Sequence, residues 1–590
     1  MPVRPDKKAV AEVLEEIATL LALQGENVFK VRAYENAARA LTRTREPLDE
    51  LIRTGRLQTI RGIGSSTAKV IQEYYETGEP PTLLRELRTK TPPGLLELLA
   101  IPGLGPQRVR LLYEKLDVRT VADLEYALQE NRLQLIEGFG PRTIETIRQG
   151  LELYRAASGR FLLGRVYPIA QAMEAFLRQR WPGPVRLVGS VRRWCPVVGN
   201  VNLILQGSPP EDPTRLDLDQ APLPLDVLEL QDSTWWLRAP SVGLPVVLTW
   251  VSAEDWPWAV RYYTGSREHN QAFREWAVRQ GYTASGFRLQ KDGTPLPLPS
   301  TGTADDAYGD EPVFAALGLA WLPPEVREGR DEIERAVRGD VPRLIEPDDV
   351  RGVLHVHTDY SDGADSLQEM IETARELGLE YVGISDHSPA AYYANGLDRE
   401  RLLQQWAEME EVQRRVPEVR ILRGMEVDIL PDGRLDLDED LLQRLDFVVA
   451  SVHSRFQMPR TEMTERIVRA MRHPCMTILG HPTGRLLLGR KGYEVDLDRI
   501  LEVAAETGTL IEINANPYRL DLDWTHLEKA RRMGVRFSID PDTHRKSDLG
   551  DYVYGVGIAR KGWLTAADVV NTLPVSELLD VLGQKRRRRP

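Results

Sequence analysis

From residue 351 to residue 544 one construction recurs: a short apolar run carries a polar residue at or next to its end, most often a histidine or a carboxylate. The runs are RGVLHVH (351–357), YVGISDH (381–387), VRILRGMEV (419–427), LDFVVASVH (445–453), MTILGH (476–481), TLIEIN (509–514) and VRFSIDPDTH (535–544). Helical stretches such as SLQEMIETARELG (366–378) separate several of them. Strands alternating with helices, each strand ending in a polar residue, predict an α/β barrel with its site at the C-terminal face.

Of the nine histidines in the chain, only His269 precedes this region. The strand-end template selects His355, His357, Asp362, His387, Glu426, His453, His481, Asp542 and His544 as candidate metal ligands. His355 and His357, two apart on one strand, point the same way and can share a metal. Asp362 follows in the YSDG turn, and Asp542 with His544 repeats the two-apart spacing. Imidazoles and carboxylates without thiolates suit zinc, manganese or iron. The chemistry expected of such a cluster is metal-assisted hydrolysis, with Glu426, His355, His357 and Asp542 at the catalytic centre and Glu426 as the bridging ligand. Asp386, beside His387, is expected to orient a ligand. Arg455, Arg485 and Lys491 lie just beyond strand-end ligands and read either as phosphate clamps or as surface residues. His473 and His526 fall off the template and read as structural.

A different pattern occupies the front of the chain. IRGIGSSTAKVIQEYY (60–75), IPGLGPQRVRLLYEKL (101–116) and IEGFGPRTIETIRQGL (136–151) each set Gly-apolar-Gly before an amphipathic helix. Gly62 and Gly64, Gly103 and Gly105, and Gly138 and Gly140 permit a tight turn and bring backbone N–H groups to a helix N-terminus, where an anion is favoured. This is the sequence form of the helix-hairpin-helix, which grips DNA backbone without reading bases. The net charge of −12 does not advertise nucleic-acid binding, but residues 1–160 carry 24 Lys+Arg against 22 Asp+Glu, so the acidity lies elsewhere. The chain closes on Lys585-Arg586-Arg587-Arg588-Arg589, expected to be a solvated, flexible tail.

Between these regions lie FLLGRVYPIAQAMEAFLRQR (161–180), GSVRRWCPVVGNVNLIL (189–205), YYTGSREHNQAFREWAVRQGY (262–282) and ALGLAWLPPEVREG (316–329). Hairpins, a GSxRR turn, a strand with polar residues two apart and a YxTGS segment, in that order, resemble the family X DNA polymerases. The bacterial members continue into a C-terminal PHP domain, and the resemblance covers nearly the whole chain. It implies a triphosphate cradle at Gly189, Ser190, Arg192 and Arg193, with Tyr263, Thr264, Gly265 and Ser266 lining the nucleotide sugar. It also matches the nine strand-end ligands to the PHP phosphoesterase pattern, which implies two to three divalent ions there and 3′–5′ exonuclease activity.

The chain departs from that family at the metal-holding strand. Where Gly-Asp-x-Asp belongs, the sequence reads Gly199-Asn200-Val201-Asn202, and the third aspartate aligns with Val247. A two-metal phosphoryl-transfer site needs anionic oxygens, and magnesium usually takes one or two carboxylates. Magnesium binding in the palm is therefore not expected. Val70 stands where the lyase nucleophile of some members lies, with Lys69 on another helical face, so lyase activity is not expected either.

The expected organisation is multidomain: helix-hairpin-helix domains at 1–85 and 86–158, an α+β nucleotidyltransferase palm at 159–262, a thumb at 263–328, a linker at 329–348, a PHP distorted (β/α)7 barrel at 349–580 and a basic tail at 581–590. Two cysteines and no signal-like or membrane-spanning apolar stretch predict a cytoplasmic protein with no membrane partner; the resemblance implies a bacterial, nucleoid-associated protein, expected as a monomer. The expected partner is DNA with gaps, nicks or 3′ ends, with a nucleotide held at the palm without extension. Three other readings stand beside this repair nuclease: an active polymerase with PHP proofreading, a PHP small-molecule phosphatase, and a non-catalytic DNA-end scaffold.

Overall fold

The computed structural model describes residues 5–44, 46–299 and 309–587. The chain divides into two compact units that part between Tyr154 and Arg155.

The first unit is helical. Helix α1 (Lys7–Leu23) starts where the Asp6 side chain accepts the Ala9 N–H at 2.8 Å. Its Leu14, Ile17 and Leu21 join Ala37, Ala38 and Leu41 of α2 (Val28–Arg43) in the core. The three glycine turns open α3 (Ser65–Thr77), α4 (Pro106–Leu116) and α5 (Pro141–Ser158), two of them with proline in first position. A single apolar cluster runs from Val10 to Leu151, so the stretches expected as separate domains on either side of residue 85 share one core.

The second unit begins with α6 (Leu163–Arg180) and the strands β1 (Val185–Val188), β2 (Val201–Gln206), β3 (Asp226–Gln231), β4 (Thr234–Ala239) and β5 (Leu244–Val251). They form one sheet in the order β1-β2-β5-β4-β3, in which only β2 and β5 run parallel. Alternation assigns Val201, Leu203 and Leu205 of β2 and Val246 and Leu248 of β5 to the core face under α6. Asn202 and Val247 therefore lie on the opposite face.

Residues 329–348, expected as a linker, instead hold helix α7 (Glu332–Arg338). Its Ile333 and Ala336 are buried with Val326 and Leu344, an apolar pair three residues apart inside an otherwise charged sequence.

The barrel follows. Its parallel strands are β6 (Gly352–Val356), β7 (Tyr381–Ile384), β8 (Arg420–Arg423), β9 (Glu426–Asp428), β10 (Val449–Ser451), β11 (Ile478–Leu479), β12 (Leu510–Asn514) and β13 (Phe537–Asp540). Strands β6 to β8 and β9 to β13 form two sheets. Bridges His387↔Glu426 and Val356↔Thr543 join them into a ring. Because β8 and β9 are two pieces of one strand broken at Gly424-Met425, the ring has seven strand positions, the distorted (β/α)7 form.

Two helices follow the last barrel strand, α8 (Tyr552–Lys561) and α9 (Val575–Arg587). The second corrects the expectation of a flexible tail. Lys585 is buried on α9, and its Nζ donates to the carbonyls of Met471 and Met476 at 2.6 and 2.7 Å and to Thr509 Oγ1 at 2.6 Å. Those acceptors precede β11 and β12, so α9 closes the N-terminal end of the barrel and leaves the C-terminal end for chemistry. Arg588 and Arg589 lie outside the described residues. No described helix is long and apolar enough to cross a membrane.

Candidate metal centre

All nine strand-end residues come together at the C-terminal end of the barrel. His355 and His357 leave β6 on one side, with ring centroids 5.1 Å apart. The His357 N–H donates to the Thr543 carbonyl at 2.9 Å, which brings Asp542 and His544 alongside. His357 Nε2 and His355 Nε2 lie 3.3 and 3.5 Å from Asp542 Oδ1. Asp362 reaches His544 Nε2 at 3.3 Å and His387 Nε2 at 3.6 Å. Glu426 lies among five imidazoles: 2.9 Å from His387 Nδ1 and His481 Nε2, 3.3 Å from His453 Nε2, and 3.5 and 3.6 Å from His355 and His357.

These atoms fit cations better than they fit one another. Donor atoms of His357, Asp362, His387 and His544 lie within 4.8 Å of each other; so do those of His355, His357 and Asp542, and of His387, Glu426 and His453. The sets share His357 and His387, the pattern of adjacent ions with common ligands. Buried ring nitrogens His355 Nε2, His357 Nδ1 and Nε2, and His387 Nδ1 and Nε2 make no hydrogen bond among the described residues. Leaving such atoms unsatisfied is costly unless a metal takes them. Burial, aided by His544 and His387, pushes His357 down to about 3, the neutral form a ligand needs. Burial pushes Glu426 up, but His453, His387 and His355 outweigh it and hold the carboxylate well below its ordinary range.

Two carboxylates that the sequence reading did not single out orient this cluster. Glu512 of β12, fully buried, accepts from His355 Nδ1 at 2.6 Å and from Asn514 Nδ2 at 3.1 Å. Burial lifts it to about 7, against the opposing pull of His355. Asp428 accepts from His453 Nδ1 at 2.6 Å. Both leave the opposite ring nitrogen facing the cluster, the usual way a protein fixes a ligand tautomer. The signal was present: a glutamate inside the apolar run TLIEIN, and an aspartate two residues after Glu426.

Asp386, expected to orient a ligand, acts on the turn before Asp362 and not on the neighbouring His387 ring. It accepts from Thr358 N at 2.8 Å, Thr358 Oγ1 at 2.7 Å and Gln405 Nε2 at 2.6 Å, and also from Ser361 Oγ. It thereby fixes the turn that presents Asp362. Arg485 is not available as a phosphate clamp: its guanidinium donates to the Arg519 carbonyl at 2.9 Å and to Asp523 at 2.5 Å. Arg455 and Lys491 are exposed. His473 pairs with Glu439 away from the cluster.

The palm offers a contrasting surface. Asn202 pairs in register with Val247, and Val247 with Trp236 of β4, so an amide, an isopropyl group and an indole form one row across the open face. Asn202 Nδ2 donates to Asn200 Oδ1 at 2.9 Å. A side chain at Gly189, where φ is +76°, would meet Asn202 Nδ2 at 2.8 Å. The GSVRR turn and the 263–266 segment do meet. Arg192 donates to Thr264 Oγ1 and Arg193 to the Thr264 carbonyl, each at 2.8 Å, while Ser266 caps the next helix and Tyr263 packs on Tyr262. Arg193 also pairs with Glu328 at 2.9 Å, and Glu328 in turn pairs with Lys561 of α8. The cradle arginine thus has a carboxylate partner already in place.

In the first unit, Gly62, Gly103 and Gly138 take φ of +107°, +91° and +92°, a left-handed conformation that glycine alone adopts cheaply. Gly64, Gly105 and Gly140, at the helix starts, have open space where a Cβ would stand. Val70 is buried in the core and Lys69 is exposed.

Comparison with known proteins adds independent findings. A family model described as PHP domain matches residues 354–516, and one described as DNA polymerase beta thumb matches residues 259–328. A helix-hairpin-helix domain matches residues 5–80 and a SAM-like helix-hairpin-helix tandem residues 95–152. A Bacillus subtilis (strain 168) protein named DNA polymerase/3′-5′ exonuclease PolX is 35% identical over 584 residues, covering 97% of this chain and 98% of its own. A probable phosphatase of Thermoanaerobacter sp. (strain X514) is 29% identical over 40% of this chain and 96% of its own length.

Proposed function

The chain belongs to the bacterial PolX family of family X DNA polymerases with a C-terminal PHP domain, and from that premise we propose that it is a metal-dependent 3′–5′ exonuclease whose polymerase site has lost synthesis. One observation carries the reading. The barrel gathers five imidazoles and three carboxylates into sets whose donor atoms lie within 4.8 Å of one another, with a sixth imidazole, His481, 2.9 Å from Glu426, while the palm presents two amides and a valine.

The ligands proposed for two to three divalent ions, manganese, zinc or iron, are His355, His357, Asp362, His387, Glu426, His453, His481, Asp542 and His544. Bound there, such ions supply Lewis acidity toward phosphate oxygens and a water acidified toward neutral pH. The chain's own groups do the rest. Glu512 and Asp428 hold His355 and His453 in one tautomer, Glu426 spans the cluster, and Arg519, 3.5 Å from Asp542, offsets part of the carboxylate charge. The glycine turns of the first unit supply backbone donors for DNA phosphates at sequence-independent positions. The proposed role is repair of gapped, nicked or 3′-blocked DNA in the bacterial cytoplasm. The proposed palm holds a primer end, and a nucleotide at most, through Gly189, Ser190, Arg192, Arg193, Tyr263, Gly265 and Ser266.

A labelled primer–template, incubated with magnesium or manganese and with or without nucleotides, tests this. The expected result is shortening from the 3′ end, abolished in His357→Ala, with no extension. Robust extension would overturn the loss of synthesis. Intact DNA alongside hydrolysed small phosphomonoesters would favour the phosphatase reading.

A further inference from the structure

A pair of aromatic rings stands beside the barrel site. The loop after ligand His387 holds two consecutive tyrosines, and they differ sharply in environment. The Tyr393 ring sits 6.4 Å from the His453 ring, and Tyr392 packs edge-on against Tyr393 at 5.7 Å. Tyr392 is 79% exposed, more than any other large apolar or aromatic side chain among the described residues. The two rings lead stepwise from a ligand histidine out to solvent.

The exposure is not that of a loose segment. Ala391, Ala394 and Leu397 of the same loop are fully buried. The Leu397 N–H donates to the His387 carbonyl at 2.8 Å, Ala390 N–H to Asp436 at 2.6 Å, and Asn395 Nδ2 to the Tyr360 carbonyl at 3.2 Å. A Cβ at Gly396 would lie 2.0 Å from the Ser388 carbonyl oxygen, so the loop is closed tightly on itself. A loop fixed at both ends, with its small side chains buried, presents one large ring outward.

We propose that Tyr392 is a stacking platform for a base near the 3′ end of the DNA strand entering the metal centre. This deepens the nuclease reading and rests on it. Every base has a face to stack, so an exposed ring gives sequence-tolerant grip, as needed for digestion without sequence preference. A pocket built only for a small phosphate ester has no use for such a ring. The exposed Arg455, two residues after His453, adds a cation to the segment that carries this proposed ligand, and backbone phosphates accompany stacked bases.

The test compares wild type, Tyr392→Ala and Tyr392→Phe on a 3′-labelled single-stranded oligonucleotide and on bis(p-nitrophenyl) phosphate, a diester without a base. Tyr392→Ala is expected to raise KM for the oligonucleotide by about tenfold or more, with kcat and hydrolysis of the small diester unchanged. Tyr392→Phe, which keeps the ring, is expected to match wild type. A set of oligonucleotides with one abasic site at each of the last three positions supplies the decisive readout. At one position the missing base should erase the difference between wild type and Tyr392→Ala. Digestion by Tyr392→Ala indistinguishable from wild type overturns this inference alone, as does a penalty that persists at every abasic position. Wild-type protein that cleaves the small diester but leaves DNA intact overturns the nuclease reading together with it.

Discussion

The palm and the barrel solve the same geometric problem with opposite chemistry. Each uses residues two apart to aim side chains at one point: Asn200 and Asn202 in the palm, His355 with His357, Glu426 with Asp428 and Asp542 with His544 in the barrel. In the palm the two amides hydrogen-bond to each other, Asn202 Nδ2 to Asn200 Oδ1 at 2.9 Å, beside an apolar neighbour at Val247. In the barrel His355 Nε2 and both ring nitrogens of His357 and His387 make no hydrogen bond among the described residues while fully buried. A site that has closed its own hydrogen bonds needs nothing, whereas a buried site full of open donors is built around something that binds there. Backbone placement survives in both, so the fold alone does not report which one works.

The largest effect should come from imposing the palm's chemistry on the barrel. Glu426→Gln together with Asp542→Asn keeps shape and removes two charges. Hydrolysis of DNA and of the small diester should fall by about a thousandfold or more, the scale of losing focused electrostatic stabilisation. Metal retained after gel filtration, measured by elemental analysis, should fall with it. Activity within tenfold of wild type would break the comparison, because ligand charge would then not separate the two sites. Next in size is Glu512→Gln. It leaves all nine proposed ligands in place but weakens the hold on His355 Nδ1, and it should cost about 10–100-fold in metal affinity by chelator competition. Unchanged affinity would show that Glu512 serves packing instead.

What was legible in the sequence followed the range of the interaction. The nine strand-end residues could be gathered because their signals are local, a spacing of two or a position at the end of an apolar run. Glu512 and Asp428 carried a signal of the same kind, but a carboxylate within a strand is recognisable as an orienter only once the ring it faces is known. Arg485 read as a possible clamp because its acceptors, the carbonyls of residues 519 and 520 and the Asp523 carboxylate, lie more than thirty residues away. Lys585 read as tail for a similar reason. A run of cations is solvated by default, and only the packing of Leu578 and Leu582 against Leu354, Tyr381 and Phe447 draws one of them inside. The linker expectation failed on a fainter pattern, two apolar residues in a charged helix.

The smallest expected effect is the reverse graft, and it bears most directly on whether charge alone underlies the proposed loss of synthesis in the palm. Asn200→Asp, Asn202→Asp and Val247→Asp together would set three carboxylates on adjacent positions of one face. The bond from Asn202 Nδ2 to Asn200 Oδ1 would be replaced by two acceptors in mutual repulsion, and cross-strand like charges cost stability. In chelator the triple variant should therefore melt below wild type, by about 2–4 °C if the cost is near 1 kcal/mol. Magnesium should raise its melting temperature more than it raises that of wild type, because a cation that binds only the folded palm stabilises it by mass action. The difference between the two proteins removes the contribution of the barrel, which binds metal in both. An extra magnesium response would mean that the strands still hold the geometry and that charge was the whole loss. No extra response would place the loss deeper, in the row Asn202–Val247–Trp236, where an indole occupies the position next to the one a metal would need.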